Sequence, residues 1–430
     1  MKTIKPVEIV QIQKLVPIFK DGQEAQSIQV VNFAFDDGSE CAFDLIAQKG
    51  LYNIGSSAVY IQPDYCLPID KELFYSFTQP FGDPKKSKLG KEGRIRAVKF
   101  NFQFENGQGP VWSNGILLPI AEVETFLGIQ ITPQTDLVSL LGITKYEEPE
   151  SAGSGLVKGG LPHFLYATDE TNQANLKSHI EKIITDKEEL VISTKIDGSS
   201  FTMYVKKNRE DWIYGVCSRG QEKKLEQRLV TEWKKEDAIY TKWQEPETGT
   251  MGWKCKENDH FVVNSIPNEK DGWIKKTKEV KDSWIELAKS SGLLEKGVNF
   301  CKENNLELAF RGEIYGQGLK GSGNNLNPHS KLKQGLILFG IDDLSRGHAT
   351  RINWSNYWNL ETICKKLNLD WCQPIVELVP LSYNNLSEIC QSIFDDYKSK
   401  GQIIEGVVIR TKNSNNLSCK WMNPEYDSKK

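Results

Sequence analysis

What the sequence does not contain narrows it first. Its nine cysteines are scattered, odd in number and never spaced as CxxC, so neither a zinc ribbon nor a disulfide framework is indicated. The five histidines are equally dispersed. Cys255 and His260 form the one close Cys/His pair, and without further ligands nearby they read as loop residues. No apolar run approaches the length of a bilayer-crossing helix, and the stretch from Met1 to Pro6 lacks the features of a secretory signal. The expectation is a soluble, cytoplasmic protein with no membrane partner. Charge is also near balance, with 54 Lys+Arg against 57 Asp+Glu. A protein that wraps nucleic acid over its whole surface is usually basic, so any polynucleotide contact must be local.

What is present suggests two domains, since 430 residues exceed one ordinary core. From about residue 25 to 120 the pattern is β-rich: residues 28–35, 41–47, 58–61 and 94–104 carry alternating or β-branched apolar residues between Gly/Asp turns. Asp36-Asp37-Gly38 reads as a hairpin turn, and strands at this spacing suggest a small barrel or sandwich. The Gly/Ser-rich stretch from Ser151 to Gly160 follows an acidic run and reads as a boundary. Beyond it, helical spacing at Leu176, Ile180, Ile183 and Ile184 and at Ile389, Ile393 and Tyr397 alternates with strand-like runs at 190–194, 201–206, 306–310, 336–341 and 403–410. The fold class is therefore α+β. Residues 230–300, rich in Trp and Lys with weak periodicity, read as an insertion.

Chemistry concentrates in an ordered series. Thr194-Lys195-Ile196-Asp197-Gly198 sets a lysine at the end of an apolar strand, before a turn and another strand. A lysine so placed becomes a nucleophile when desolvation or neighbouring cations lower its pKa. Arg311-Gly312-Glu313 puts a carboxylate at a strand end before the Gly-rich turn at Gly316 and Gly318, where a ligand can approach backbone closely. Residues 336–342 form an apolar strand in which Phe339 either packs in the core or offers an aromatic face to a base; in the frame of the motif discussed below, Leu338 is the alternative. Glu405-Gly406-Val407-Val408 brings a second carboxylate, and Ser418-Cys419-Lys420-Trp421 a second lysine. Each alone has a bland reading, because strand termini are often charged; the order of the series is what carries information.

That order resembles motifs I, III, IIIa, IV and V of the covalent nucleotidyltransferases, with Cys217-Ser218-Arg219-Gly220 at the place of the motif Ia arginine. Within that superfamily the chain most resembles ATP-dependent RNA ligases that seal nicks and carry an N-terminal OB-fold. Gly55–Pro68, Gly93–Lys99 and Asn114–Pro119 support the N-terminal part. The resemblance implies an OB-like β-barrel domain over 1–145, a linker at 146–160, and an antiparallel-sheet, ATP-grasp-like nucleotidyltransferase domain over 161–430.

It further implies that Lys195 takes AMP from ATP, that the AMP passes to an RNA 5′-phosphate, and that a 3′-hydroxyl displaces it. Asp197 would orient the lysine. Glu313 and Glu405 would surround Mg²⁺ (or Mn²⁺), and Lys420 and Arg219 would grip phosphates. Phe339 would stack on adenine. Motif V of the family is often Lys-x-Lys; Ser418 stands at the first place here, and Lys412 is a candidate substitute. The basic stretch with Lys86, Arg94, Arg96 and Lys99, interleaved with Phe100, Phe102 and Phe104, is expected to hold nucleic acid flanking the nick. A DNA nick ligase would share these motifs, and a catalytically silent nucleic-acid-binding protein would share the fold. A capping enzyme would need a C-terminal OB domain that ten residues after Lys420 do not supply.

Overall fold

The structure, a computed structural model, describes residues 5–146, 156–226, 228–235, 238–244, 250–256, 261–262, 274–319 and 328–427. The Ser151–Gly155 boundary and His260 lie outside the described residues. No helix is long and apolar enough to cross a membrane.

The N-terminal part is a five-stranded antiparallel sheet in the order Ile116–Pro119, Ser57–Ile61, Val7–Val16, Ile28–Ala34, Leu45–Gln48. Its two edges meet: Ile46 N donates to Ser113 Oγ at 3.0 Å and Asn114 N to Asp44 O at 3.0 Å, so the sheet nearly closes into a barrel. Two apolar clusters fill its opposite sides, one around Phe33, Tyr60 and Phe35, the other around Val59, Phe74 and Ile143. The expected turn at Asp36–Gly38 is present, with Phe35 N bonded to Ser39 O. The expected strand over 94–104 is broken: Val98–Phe100 pairs with Val111–Ser113, while Arg94 and Gln103 make isolated bridges to Cys66 and Phe19.

Two further sheets face each other beyond it. The first runs Thr171–Asn172, Ser418–Met422, Gly406–Thr411, Leu190–Lys195, Pro374–Leu378. Its back is covered by the helices Lys177–Thr185 and Tyr383–Ser399. The second of these starts where Ser382 Oγ accepts from Asn385 N, a cap that supplies one orphan amide. It then buries Leu386, Cys390, Ile393 and Phe394 at i, i+4, i+7 and i+8, the apolar stripe of a helix lying on a sheet. The second sheet has seven strands, ordered Val157–Gly160, Gln221–Lys223, Asp211–Cys217, Ser199–Asn208, Leu308–Tyr315, Gly335–Asp343, Thr350–Arg351. The helices Ser283–Ser290, Leu293–Asn304 and Leu360–Leu367 pack on its apolar face.

The span read as an insertion holds two things. Strands between Arg228 and Val280 form a separate five-stranded antiparallel sheet. Residues 283–304 are the two helices just named and belong to the main core.

A cleft between two sheets

Lys195 ends a strand of the five-stranded sheet, and four residues later Ser199 begins a strand of the seven-stranded one. Ile196-Asp197-Gly198 is therefore a crossover between walls; the strands on either side of it are not hairpin partners. Glycine is required there by proximity: a Cβ on Gly198 would stand 2.2 Å from Ile314 O. Gly406 has the same cause, since its Cβ would meet Trp421 O at 2.4 Å.

The walls enclose a cleft of about 790 Å³, into which Lys195, Asp197, Arg219, Glu313, Phe339, Glu405 and Lys420 all face. Lys195 Nζ donates to Glu405 Oε2 at 2.6 Å. Asp197 is buried and accepts from the hydroxyl of Tyr426, itself fully buried. The same C-terminal segment fixes Glu405, because Asn423 N donates to its carbonyl at 2.9 Å. Glu313 pairs across its strand with Ser200 and Ile337.

Whether Leu338 or Phe339 faces the cleft is decided by a β-bulge. Arg311 pairs with Gly340 and Gly312 with Leu338, leaving Phe339 as the extra residue. A bulge re-aims a side chain. Leu338 stays in the core at 1% exposure while Phe339 lines the cleft, with the Arg410 guanidinium 5.9 Å from its ring centroid.

Lys420 Nζ lies 3.2 Å from Asp64 Oδ2 and 3.7 Å from Asp169 Oδ1. Asp169 is a hub, since Lys145 pairs with it and Arg219 approaches it to 3.8 Å. Asp64 also takes Arg94 at 2.6 Å. Burial alone would raise the Asp64 pKa, but the Lys420 and Arg94 charges beside it outweigh burial and hold it well below the usual carboxylate range. Glu170 is lowered on the same balance, burial against the Arg410 charge at 2.7 Å and a bond from Ser418. These acids, with Lys145, Arg410, Lys223 and Tyr426, are not among the site residues read from the sequence; they come from segments far apart in the chain. Arg94 is among them, as a nucleic-acid contact of the basic stretch, and the structure places it in the cleft.

The basic stretch does not form one surface. Arg94 enters the cleft and stacks 4.8 Å from the Tyr146 ring, whereas Arg96 donates to Lys88 O. Lys86 sits 5.3 Å over Phe81, and Lys99 6.0 Å from the Trp112 ring. Lys412 lies outside the cleft, paired with Glu189 and Glu377, so it does not supply the second lysine of motif V.

Residues 188–422, more than half of the chain, match the family described as RNA ligase. The chain belongs to the RNA ligase family. The matched span of this RNA ligase contains the Lys195, Glu313, Glu405 and Lys420 segments. Among solved structures it is similar to Naegleria gruberi RNA ligase, in a mutant with AMP and Mn (20% identity, 99% of this chain and 98% of that chain, TM-score 0.63). The form with PPi is similar at 21% identity, 99% of both chains and TM-score 0.64. At such identity the likeness is one of fold, and it extends through the N-terminal part. No curated protein matches.

Proposed function

We propose that this RNA ligase uses ATP to seal 5′-phosphate/3′-hydroxyl breaks, nicks among them, through an AMP adduct on Lys195. The observation that carries the reading is the lysine held 2.6 Å from Glu405 in a cleft that also presents Lys420, Glu313 and Phe339. The solved structures named above include forms with AMP and Mn and with PPi, which fits this reading.

Lys195 must be neutral to attack, and Glu405 is within hydrogen-bond reach to receive its proton. The lysine nitrogen then bonds to the α-phosphorus of ATP as the bond to pyrophosphate breaks. Next an oxygen of the RNA 5′-phosphate bonds to that phosphorus and the P–N bond breaks, returning the lysine. Finally the 3′-hydroxyl, losing its proton, attacks the 5′-phosphorus and AMP leaves. All three are in-line displacements, for which positioning and charge neutralisation supply the catalysis.

Lys420, Arg219, Lys145 and Arg94 converge on Asp64 and Asp169, so a triphosphate replacing those carboxylates would keep every cation partnered. Phe339 offers its face to adenine, and Asp197, held by Tyr426, fixes the segment that follows the nucleophile. Among the described residues no cluster of three His, Cys, Asp or Glu makes a closed metal cage. That suits magnesium or manganese, which take one or two carboxylates and fill the remainder with phosphate oxygens and water. Glu313 and Glu405 would hold the ion, and its charge would offset that building on the phosphates. The nearly closed N-terminal barrel, over about 1–145, is read as an OB-like RNA-binding domain, and 161–430 as the nucleotidyltransferase domain. The nine cysteines, all buried and free, fit the reducing cytosol.

The test is incubation with Mg²⁺ and ATP labelled at the α-phosphate, followed by denaturation. Label on the protein, lost in Lys195→Ala and released to a 5′-phosphorylated nick, is the expected result. Comparing RNA with DNA on the 3′-hydroxyl side then assigns the strand preference. No label with either Mg²⁺ or Mn²⁺ overturns the reading.

A further inference from the structure

A second, smaller cavity of about 260 Å³ lies between the N-terminal barrel and the strand Ser418–Met422. Rings surround it: Phe43, Phe104 and Trp112 from the barrel side, Tyr383 and Trp421 from the catalytic side. Tyr383 and Trp421 already stack, centroids 5.5 Å apart and planes tilted by 33°. Between the rings stand polar groups with both donor and acceptor capacity. Asn114 lines the cavity with a side-chain amide for which the described residues supply no hydrogen-bond partner. Asp44 lines it with a carboxylate, one oxygen of which accepts from Asn32 at 2.9 Å.

Aromatic faces with polar groups at the edges are what a flat heteroaromatic ring requires. The two carboxylates in the lining, Asp44 and Asp64, disfavour a phosphate inside. The volume lies below that of pockets that take whole drug-sized ligands, and is a third of the neighbouring cleft. A cation stands nearby instead, since Lys99 Nζ is 6.0 Å from the Trp112 ring.

The two cavities are neighbours. Asp64, which holds Lys420, lines both. Lys420 and Trp421 are consecutive on one strand, so their side chains leave opposite faces, the lysine toward the cleft and the tryptophan toward the smaller cavity. A strand with its reacting end at Lys420 therefore has to pass the edge at Asp64, the residue common to both linings, to set a base in the smaller cavity.

We propose that this cavity binds one base of the RNA strand being joined, stacked among Trp112, Trp421 and Tyr383, with the flanking phosphate near Lys99. The proposal rests on the RNA-sealing reading above. Asp44, an acceptor, selects bases that carry an exocyclic amine over uracil.

The experiment uses nicked RNA duplexes with a single abasic nucleotide moved stepwise across the positions flanking the break, on the full chain. Stacking of one base is worth about 1–3 kcal/mol, or roughly 5- to 150-fold. One position is expected to raise KM by at least about fivefold when abasic, and uridine there is expected to be weaker than cytidine. Trp112→Leu removes that sensitivity, Trp112→Phe retains it, and both take AMP label from ATP as the wild type does. If every abasic position behaves alike in the wild type, or Trp112→Leu keeps the sensitive position, the proposal is overturned while the ligase reading stands. Loss of ATP labelling in both folded Trp112 variants would assign the cavity to ATP and overturn the proposal as well. A wild type that takes no label at all overturns the ligase reading, and the base site with it.

Discussion

The two walls of the cleft hold their charges by opposite means. In the seven-stranded wall, Arg311 is 1% exposed and bonds Asp342 at 2.7 Å, while Arg351 takes the other carboxylate oxygen at 2.6 Å. Thr202 Oγ1 and Tyr166 O satisfy a further nitrogen of Arg311. In the five-stranded wall, Lys195 and Glu405 pair inside the cleft, the lysine side chain still a quarter exposed. The first network is centred on the fully buried pair Arg311–Asp342, with Arg351 reaching partly to solvent, and we read it as structural. It anchors the strand that presents Glu313 and pins the far side of the bulge that turns Phe339 outward. The second consists of pairs that a substrate can exchange. Charge at an active site thus divides into what must stay and what must let go.

The largest effect expected is on chemistry. Glu405→Gln should lower AMP labelling by about 10²–10⁴-fold, the range for losing a positioned proton acceptor, with the thermal midpoint nearly unchanged. If Glu405→Gln instead unfolds the protein, the Lys195–Glu405 pair is structural and the distinction between the walls fails. Asp342→Ala should do the reverse, costing about 3–5 kcal/mol in urea unfolding because it strands the buried Arg311 guanidinium and the half-buried one of Arg351. Gly198→Ala should cost about 1–3 kcal/mol, since its methyl group collides with the Ile314 carbonyl of the seven-stranded wall; a neutral result would show that the crossover can give way.

The smallest effect is on pH. Asp64 and Glu170 have folded pKa values held below their ordinary ones by neighbouring cations, against the opposing pull of burial. Their contribution to stability is full above the unfolded carboxylate value, near 4, and is lost as pH falls through the folded values. Asp64→Asn should therefore flatten the acid limb of a stability–pH curve below about pH 4. An unchanged limb would show that Lys420 and Arg94 do not stabilise that carboxylate.

The catalytic strands were legible because they are apolar, β-branched runs ending in a charge. Leu190–Lys195, Ser199–Asn208 and Gly335–Asp343 all lie where the pattern placed strands. The first strand, Val7–Val16, was missed; its pairing shifts register between Ile12 and Lys14, and that bulge breaks the alternation. The same device hid the choice between Leu338 and Phe339. Periodicity counts residues evenly, and a bulge is one residue that does not count. The sheet between Arg228 and Val280 left little signal because charged and aromatic residues are mixed along its strands. Asp64, Asp169 and Tyr426 were invisible for another reason: each acts on a partner hundreds of positions away or on another segment altogether.

The crossover after Lys195 has a mechanical meaning. From Lys195 to Ser199 the chain reaches at most about 14 Å when fully extended, and those two residues sit on opposite walls. The cleft is thus bound like a book, with its spine at the nucleophile. Whatever opening admits a nucleotide at the outer edge, the walls part least beside Lys195. On the proposed mechanism the attacking nitrogen of Lys195 would stand at the pivot, and the phosphates would travel to it.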